Sequence, residues 1–190
     1  MAVITISRQY GSGGNEIATR VSEMLGYRYF DKELMTRQAG SGSSPTETVE
    51  ALDETKSITR VQGIIRAAYE QGNIVIVGRG GQAILKGLPG VLHVRIEAPL
   101  GDRIRRVLDQ ESIGLTEAQK LVINYDRAAA DYLSRLYDID WTDPAHYDLV
   151  INTRQLDVEG AAHLIVNTVS FLPSVSQPNK GYQTQTAETR

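Results

Sequence analysis

The sequence predicts an α/β fold, with a mostly parallel central sheet covered by helices on both faces. Three observations carry this reading. Short apolar runs, among them Ala2 to Ile6, Ile74 to Val77 and Val91 to Ile96, alternate with longer stretches of helical periodicity. The first run passes directly into a glycine-rich turn, Gly11-Ser12-Gly13-Gly14, and from there into a helical pattern. Ile74-Val75-Ile76-Val77 shows no polar alternation, as expected of a strand buried on both faces.

In chain order, the first strand is followed by a helix from about Gly14 to Leu25, which Gly26 ends. A short Tyr27 to Phe30 segment leads to Asp31, a good N-cap for a helix through Asp31-Lys32-Glu33-Leu34-Met35. Gly40 to Pro45 is rich in turn residues, and the acidic Thr46 to Glu54 run reads as a short solvated helix. Val61, Ile64, Ile65 and Ala68 recur at helical spacing, and Gly72 closes that helix before the Ile74 to Val77 strand. Gly78-Arg79-Gly80-Gly81 then opens a short helix ending near Lys86-Gly87. After the Val91 to Ile96 strand come helices over Asp102 to Gln110 and Thr116 to Leu136, a last strand over Leu149 to Asn152 and a last helix over Val158 to Phe171. Residues 1–172 therefore form one domain. Pro173 to Arg190, polar and almost without aliphatic residues, is expected to be a disordered tail.

Composition narrows the function. With 190 residues, 41% of them hydrophobic and 23% charged, the chain is long enough for one domain with a buried core. A net charge of -3 argues against a general nucleic-acid binder and gives any arginine cluster a local meaning. The absence of cysteine excludes disulfides and thiolate metal sites and suits a reducing cytoplasm. No secretory signal is visible, and no apolar run approaches the ~20 residues that span a bilayer, so a cytoplasmic protein with no membrane partner is expected.

The strand–glycine turn–helix order builds a phosphate cradle, because the glycines can take positive φ and the helix presents its positive end to an anion. The P-loop spacing G-x-x-x-x-G-K-[ST], laid over the chain with its second glycine on Gly13, meets Arg8, Gly13, Gly14 and Asn15. The lysine for the β- and γ-phosphates and the hydroxyl for Mg²⁺ are both absent. Gly11, Ser12, Gly13, Gly14 and Asn15 are the candidate nucleotide-binding residues. In a parallel sheet the loop and the Gly78 to Gly81 turn both lie at the strands' carboxyl ends and converge on one crevice.

The chain resembles the cytidylate kinase-like family within the P-loop nucleoside monophosphate kinases. The resemblance rests on Ile6 to Gly14, Phe30 to Leu34, Val75 to Gly80, and Asp140-Trp141-Thr142-Asp143-Pro144 followed by Tyr147 to Thr153, in order over about residues 2 to 170. It implies a P-loop core with a monophosphate-binding arm at about residues 38–60 and a lid with flanking helices at about 112–145. It also implies transfer of the γ-phosphoryl of ATP, with Mg²⁺ brought by the nucleotide, to CMP or a related monophosphate. The Asp-Ser-Gly-Ala-x-Tyr-Arg segment that helps cytidylate kinases hold the monophosphate falls on residues 31–37, where Asp31 and Arg37 keep the polar groups. The Gly-Arg-Asp turn of cytidylate kinases becomes Gly78-Arg79-Gly80, which retains the arginine and drops the base-side carboxylate.

Phosphoryl transfer depends mainly on positioning and on neutralising charge, so cations in a closed site are the residues to find. Arg8 stands beside the loop, where its planar fork could replace the lysine; the plainer alternative is an ion pair with Glu16 or Asp31. Arg79, at a glycine turn after a buried strand, is the candidate for the acceptor phosphate. Arg103 and Arg106 share one helical face, as do Arg127, Asp131 and Arg135, so that Arg103 and Arg127 are candidate catalytic groups of a lid; the plainer reading of the second set is an i, i+4 ladder. His93, His146 and His163 have no ligand spacing, so no metal site is expected, and Asp140, Trp141, Asp143 and Tyr147 read as structural. Two other functions fit the sequence: a nucleotide-binding pseudo-kinase without turnover, and a small-molecule kinase with a non-nucleotide acceptor.

Overall fold

The computed structural model describes residues 1–31 and 54–173, with side chains from residue 58 onward in the second stretch. Arg37, the expected Asp31 to Met35 helix beyond its first residue, most of the expected arm at 38–60, all but the last residue of the expected Thr46 to Glu54 helix and nearly all of the expected tail at 173–190 lie outside the described residues. The elements in order are β1 (Val3–Arg8), α1 (Gly14–Leu25), β2 (Arg28–Phe30), α2 (Glu54–Gln71), β3 (Ile74–Val77), α3 (Gly81–Ile84), β4 (Val91–Glu97), α4 (Leu100–Glu111), α5 (Leu115–Tyr137), a 3-10 turn (Pro144–His146), β5 (Leu149–Asn152) and α6 (Val158–Val169). The five strands form one sheet in the order β2-β3-β1-β4-β5, and every pairing is parallel.

Alternation along the strands decides what each face packs against. Ile4, Ile6, Val75, Val77, Val94 and Ile96 point to the side closed by Ile17, Ala18 and Val21 of α1 and Ala161, Ala162 and Ile165 of α6. The opposite face buries Val3, Ile74, Ile76 and Val91 against Ile65 and Ala68 of α2 and Ile84 of α3. A separate small core of Val107, Ala118 and Val122 joins α4 to α5. Burying an aliphatic side chain of this kind stabilises by about 1.5–3 kcal/mol, so the two sheet faces hold the domain together.

Local signals set the helix ends. Gly26 ends α1 in the left-handed region at φ 63, and Asp157 caps α6 by accepting a 2.7 Å hydrogen bond from the Gly160 N–H. Asp143 caps the 3-10 turn in the same way, through the Ala145 N–H at 2.9 Å. α3 stops at Ile84, short of the Lys86-Gly87 end expected from sequence, and the chain then turns through Gly87 and Gly90 at φ 74 and 71. In register, Ser7 lies beside Arg95 and Arg8 beside Ile96, so β1 delivers Arg8 and the following loop to the carboxyl end of the sheet.

Candidate active site

A crevice of about 490 Å³ opens where β1 ends, with Arg8, Gly13, Asn15, Asp31 and, from α5, Tyr125 and Asp126 among its walls. Another cavity of about 450 Å³ runs along β2 and α2 between largely apolar residues such as Phe30, Ile64 and Ile74. The two are close in volume, and it is the free backbone donors of the loop, with Arg8 beside them, that single out the first.

The loop at 9–13 is held by its carbonyls. Ser12 donates to the Gln9 carbonyl through both its N–H (3.2 Å) and its Oγ (2.7 Å). Thr153 Oγ1 donates to the Ser12 carbonyl at 2.8 Å. Arg106 reaches the Gly11 carbonyl at 3.4 Å and both Oγ1 and the carbonyl of Thr153. Tyr10 is fixed at both main-chain groups: its N–H donates to Asp126 Oδ1 at 3.0 Å, and its carbonyl accepts from Arg103 Nη1 at 3.1 Å. No comparable partner takes the N–H groups of Gly13, Gly14, Asn15 or Glu16 among the described residues. Acceptors tied inward and donors left outward make an anion cradle at the start of α1.

The glycines serve this geometry in different ways. Gly11 has φ 76, and a Cβ on it would come 2.8 Å from the Arg103 carbonyl oxygen. Gly13 has φ 80 and open space around it, so only its conformation calls for glycine.

Arg8 extends from β1 along this loop. Its Nε donates to Asn15 Oδ1 at 2.9 Å, while Glu16, one of the partners considered for it, accepts from Gln110 instead. Burial lowers the pKa of the Arg8 guanidinium and nearby Arg79 adds to that, while Tyr29 and Asp31 oppose it. Tyr29, pushed up by burial and then by Asp31, belongs to the same group, though only its position beside Asp31 hinted at this in the sequence. Arg79 has φ 58 between Gly78 at φ 71 and Gly80 at φ 74, a left-handed conformation that costs a non-glycine residue about 1–3 kcal/mol and is typical of functional turns. A Cβ on Gly80 would come 2.5 Å from Tyr137 Cε2, so the ring at the end of α5 fills the space above this turn. Burial raises the Tyr137 hydroxyl to about 12.

The structure thus brings Arg8, the Gly11 to Asn15 loop and Asp31 together at the crevice, with Arg79 near the Arg8 guanidinium but outside the crevice wall. It places the other two arginine candidates elsewhere. Arg103 is buried, with Nε on the Ala98 carbonyl at 3.0 Å and Nη1 shared between the Tyr10 carbonyl and Asp126 Oδ2 at 2.6 Å. Arg127 is exposed on α5 and outside the crevice wall, and no ion pair joins it to Asp131, so the expected ladder does not form between them. Among the described residues no group of three His, Cys, Asp or Glu side chains could hold a metal ion.

Sequence reasoning missed the partners that hold the site. Asp126 gives one oxygen to Tyr10 and the other to Arg103, while Tyr125 stacks on Tyr10 at 4.3 Å, so α5 grips the loop directly. Arg95 is buried in β4, donates to the Trp141 carbonyl at 2.7 Å and lies over the Trp141 ring at 4.7 Å. Tyr147 donates to that same carbonyl at 2.8 Å, consistent with a structural reading of Trp141 and Tyr147. A lone arginine in an apolar strand was the available signal for this cluster.

The sequence model of the cytidylate kinase-like family matches residues 3–155. A cytidylate kinase of Staphylothermus marinus is 29% identical over 169 residues, which cover 87% of this chain and 94% of that protein. One of Methanocaldococcus jannaschii is 29% identical over 177 residues, covering 90% and 98%. Among solved structures, an uncharacterized protein of Eubacterium ventriosum superposes with a TM-score of 0.78 at 24% identity, covering 90% of this chain and 99% of that one. Shikimate kinase of Acinetobacter baumannii in complex with shikimate superposes at 0.58 with 17% identity, covering 90% and 93%, and shares the fold. No helix among the described residues is long and apolar enough to cross a membrane.

Proposed function

Because the chain belongs to the cytidylate kinase-like family, we propose that it is a cytoplasmic enzyme that moves the γ-phosphoryl of ATP to CMP or a related nucleoside monophosphate. The observation that carries this reading is the row of outward N–H groups from Gly13 to Glu16 with the Arg8 guanidinium beside it. These residues fit a polyphosphate. Backbone donors hold the β- and γ-oxygens, the α1 N-terminus favours their charge, and Arg8 supplies a planar fork. Asn15 is turned to Arg8 and Ser12 Oγ to the Gln9 carbonyl, so a Mg²⁺ brought by the nucleotide would rely on phosphate oxygens and water and would supply charge neutralisation there.

Arg79, with no hydrogen bond or ion pair among the described residues, contacts the acceptor phosphate, and Asp31 and Arg37 orient the acceptor. Arg8, Arg79 and the loop donors then neutralise the charge that builds on the transferring group. Arg103 acts through Tyr10 and Asp126, keeping the loop in shape, and Arg127 meets the phosphoryl group only if α5 moves. Tyr137 above Gly80 leaves no room for the base-side carboxylate, so this side of the acceptor is not read by an acid.

The test is ADP release from ATP and Mg²⁺ against CMP, UMP, other monophosphates and a non-nucleotide alcohol such as shikimate, with Arg8→Ala as control. Release that requires a pyrimidine monophosphate and falls in the variant is expected. ATP binding with no release for any acceptor would make the protein a nucleotide-binding pseudo-kinase, and release with the alcohol alone would make it a small-molecule kinase.

A further inference from the structure

We propose that this loop carries its phosphate-binding cation at its first position instead of its seventh: Arg8 and Gly14 have exchanged the residue types of the standard loop, and Asn15 positions the Arg8 guanidinium. The proposal rests on the reading that ATP phosphates sit on this loop. In G-x-x-x-x-G-K-[ST], glycine opens the loop, lysine follows the second glycine and a hydroxyl comes next; here those places hold Arg8, Gly14 and Asn15.

Gly14 lies in α1 and outside the left-handed region, so its conformation does not require glycine. What excludes a side chain is Arg8. A Cβ built on Gly14 would fall on Arg8 Cβ and 2.7 Å from Arg8 Cγ, whereas the next atom, Ser12 Oγ, is at a comfortable 3.4 Å. Those two carbons are the root of the arginine side chain, which cannot swing clear as a flexible tip could. The space between positions 8 and 14 therefore accepts one stem, from either end of the loop, and not two.

The rest of Arg8 is built in to match. A Cβ on Gly78 would come 2.9 Å from Arg8 Nη1, so the guanidinium lies against the Gly78-Arg79-Gly80 turn, between the nucleotide loop and the acceptor arginine. Asn15 stands where the Mg²⁺ hydroxyl is expected, yet its Oδ1 accepts from Arg8 Nε at 2.9 Å. That bond uses the one donor pointing along the stem and leaves both Nη groups without a hydrogen-bond partner among the described residues, free for bidentate contact with phosphate oxygens.

Calorimetric titration with ATP, melting temperature and steady-state kinetics test this on four variants. Arg8→Met, which keeps the stem and removes the charge, should weaken ATP binding by about 30- to 1,000-fold with little change in melting temperature. Gly14→Lys alone should lower the melting temperature, because two stems meet. The double variant Arg8→Gly with Gly14→Lys should fold and bind ATP within about tenfold of the original chain, well above either Arg8→Met or Gly14→Lys. Asn15→Leu should raise KM for ATP by about three- to tenfold with kcat and stability held. Full ATP affinity in Arg8→Met overturns the proposal, as does a double variant that fails to fold or binds no better than Gly14→Lys, or an Asn15→Leu whose KM is unchanged. If the original chain binds no ATP, the reading of the loop falls and the proposal with it; if it binds ATP and Arg8→Met binds equally well, the proposal alone falls.

Discussion

Arg103 and Arg8 both serve the phosphate loop, and they differ in how their hydrogen-bonding capacity is used. Arg103 has the Ala98 carbonyl, the Tyr10 carbonyl and Asp126 as acceptors. Among the described residues Arg8 has Asn15 alone. A buried guanidinium whose acceptors are all protein groups fixes backbone; one left with a single neutral acceptor is set for an anion that arrives later. Arg95, held by the Trp141 carbonyl, Glu97 and two aromatic rings, belongs with Arg103.

The largest effect that tests this contrast is on stability. Arg103→Ala leaves Asp126 without its charge partner in a half-buried place and should cost about 3–5 kcal/mol in urea denaturation, whereas Arg8→Met should cost under about 1 kcal/mol. Equal losses for the two variants would end the distinction.

Next comes Arg79, which has no hydrogen bond or ion pair among the described residues. Arg79→Ala should lower kcat/KM for the acceptor by about 30- to 1,000-fold, equivalent to about 2–4 kcal/mol, with ATP binding little changed. Unaltered acceptor kinetics would remove Arg79 from the site.

The same contrast between packing and openness separates two glycines of the loop. Gly13→Ala meets no atom within 4 Å and should lose only the left-handed conformational term of about 1–2 kcal/mol. Gly11→Ala carries that term and also collides with the Arg103 carbonyl, so its melting temperature should fall further. The reverse order would mean that the loop does not rest on α4 as described.

The smallest effect is that of pH. His93 sits in β4 with Nδ1 2.7 Å from Thr5 Oγ1, and burial lowers its pKa from 6.5, only partly offset by Asp148 and the Leu85 backbone. Between the folded pKa and 6.5 the unfolded chain binds more protons, so this contribution is complete above pH 6.5 and is lost as pH falls below it. The depressed carboxylates Asp140 and Glu159 would add their own losses only at still lower pH. Thermal denaturation between pH 5 and 7.5, with the His93 imidazole followed by NMR, should show stability falling with acid; a His93 titrating at or above 6.5 sinks the assignment.

Local chemistry made much of this molecule readable from sequence. The unbroken Ile74 to Val77 run implied a strand covered on both sides, and it pairs with β2 and β1 in the sheet interior. Gly11 to Gly14 after an apolar strand implied an anion cradle, because positive φ and a helix start are properties of adjacent residues. The order of the elements followed for the same reason. Arginine roles did not, since helical spacing put Arg103 and Arg106 on one face without saying what that face meets. Their partners lie far along the chain: Tyr10 for Arg103, and Gly11 and Thr153 for Arg106.

What the sequence determined by itself was the α/β architecture and a phosphate-binding loop whose usual lysine is missing, because both rest on the intrinsic preferences of residues a few positions apart. Only the tertiary structure decided which arginine is saturated by protein acceptors and which keeps donors free among the described residues. That choice depends on where side-chain roots collide and which carbonyls are near enough to saturate a guanidinium: Arg8 occupies the volume beside Gly14, while Arg103 is turned to Tyr10 and Asp126.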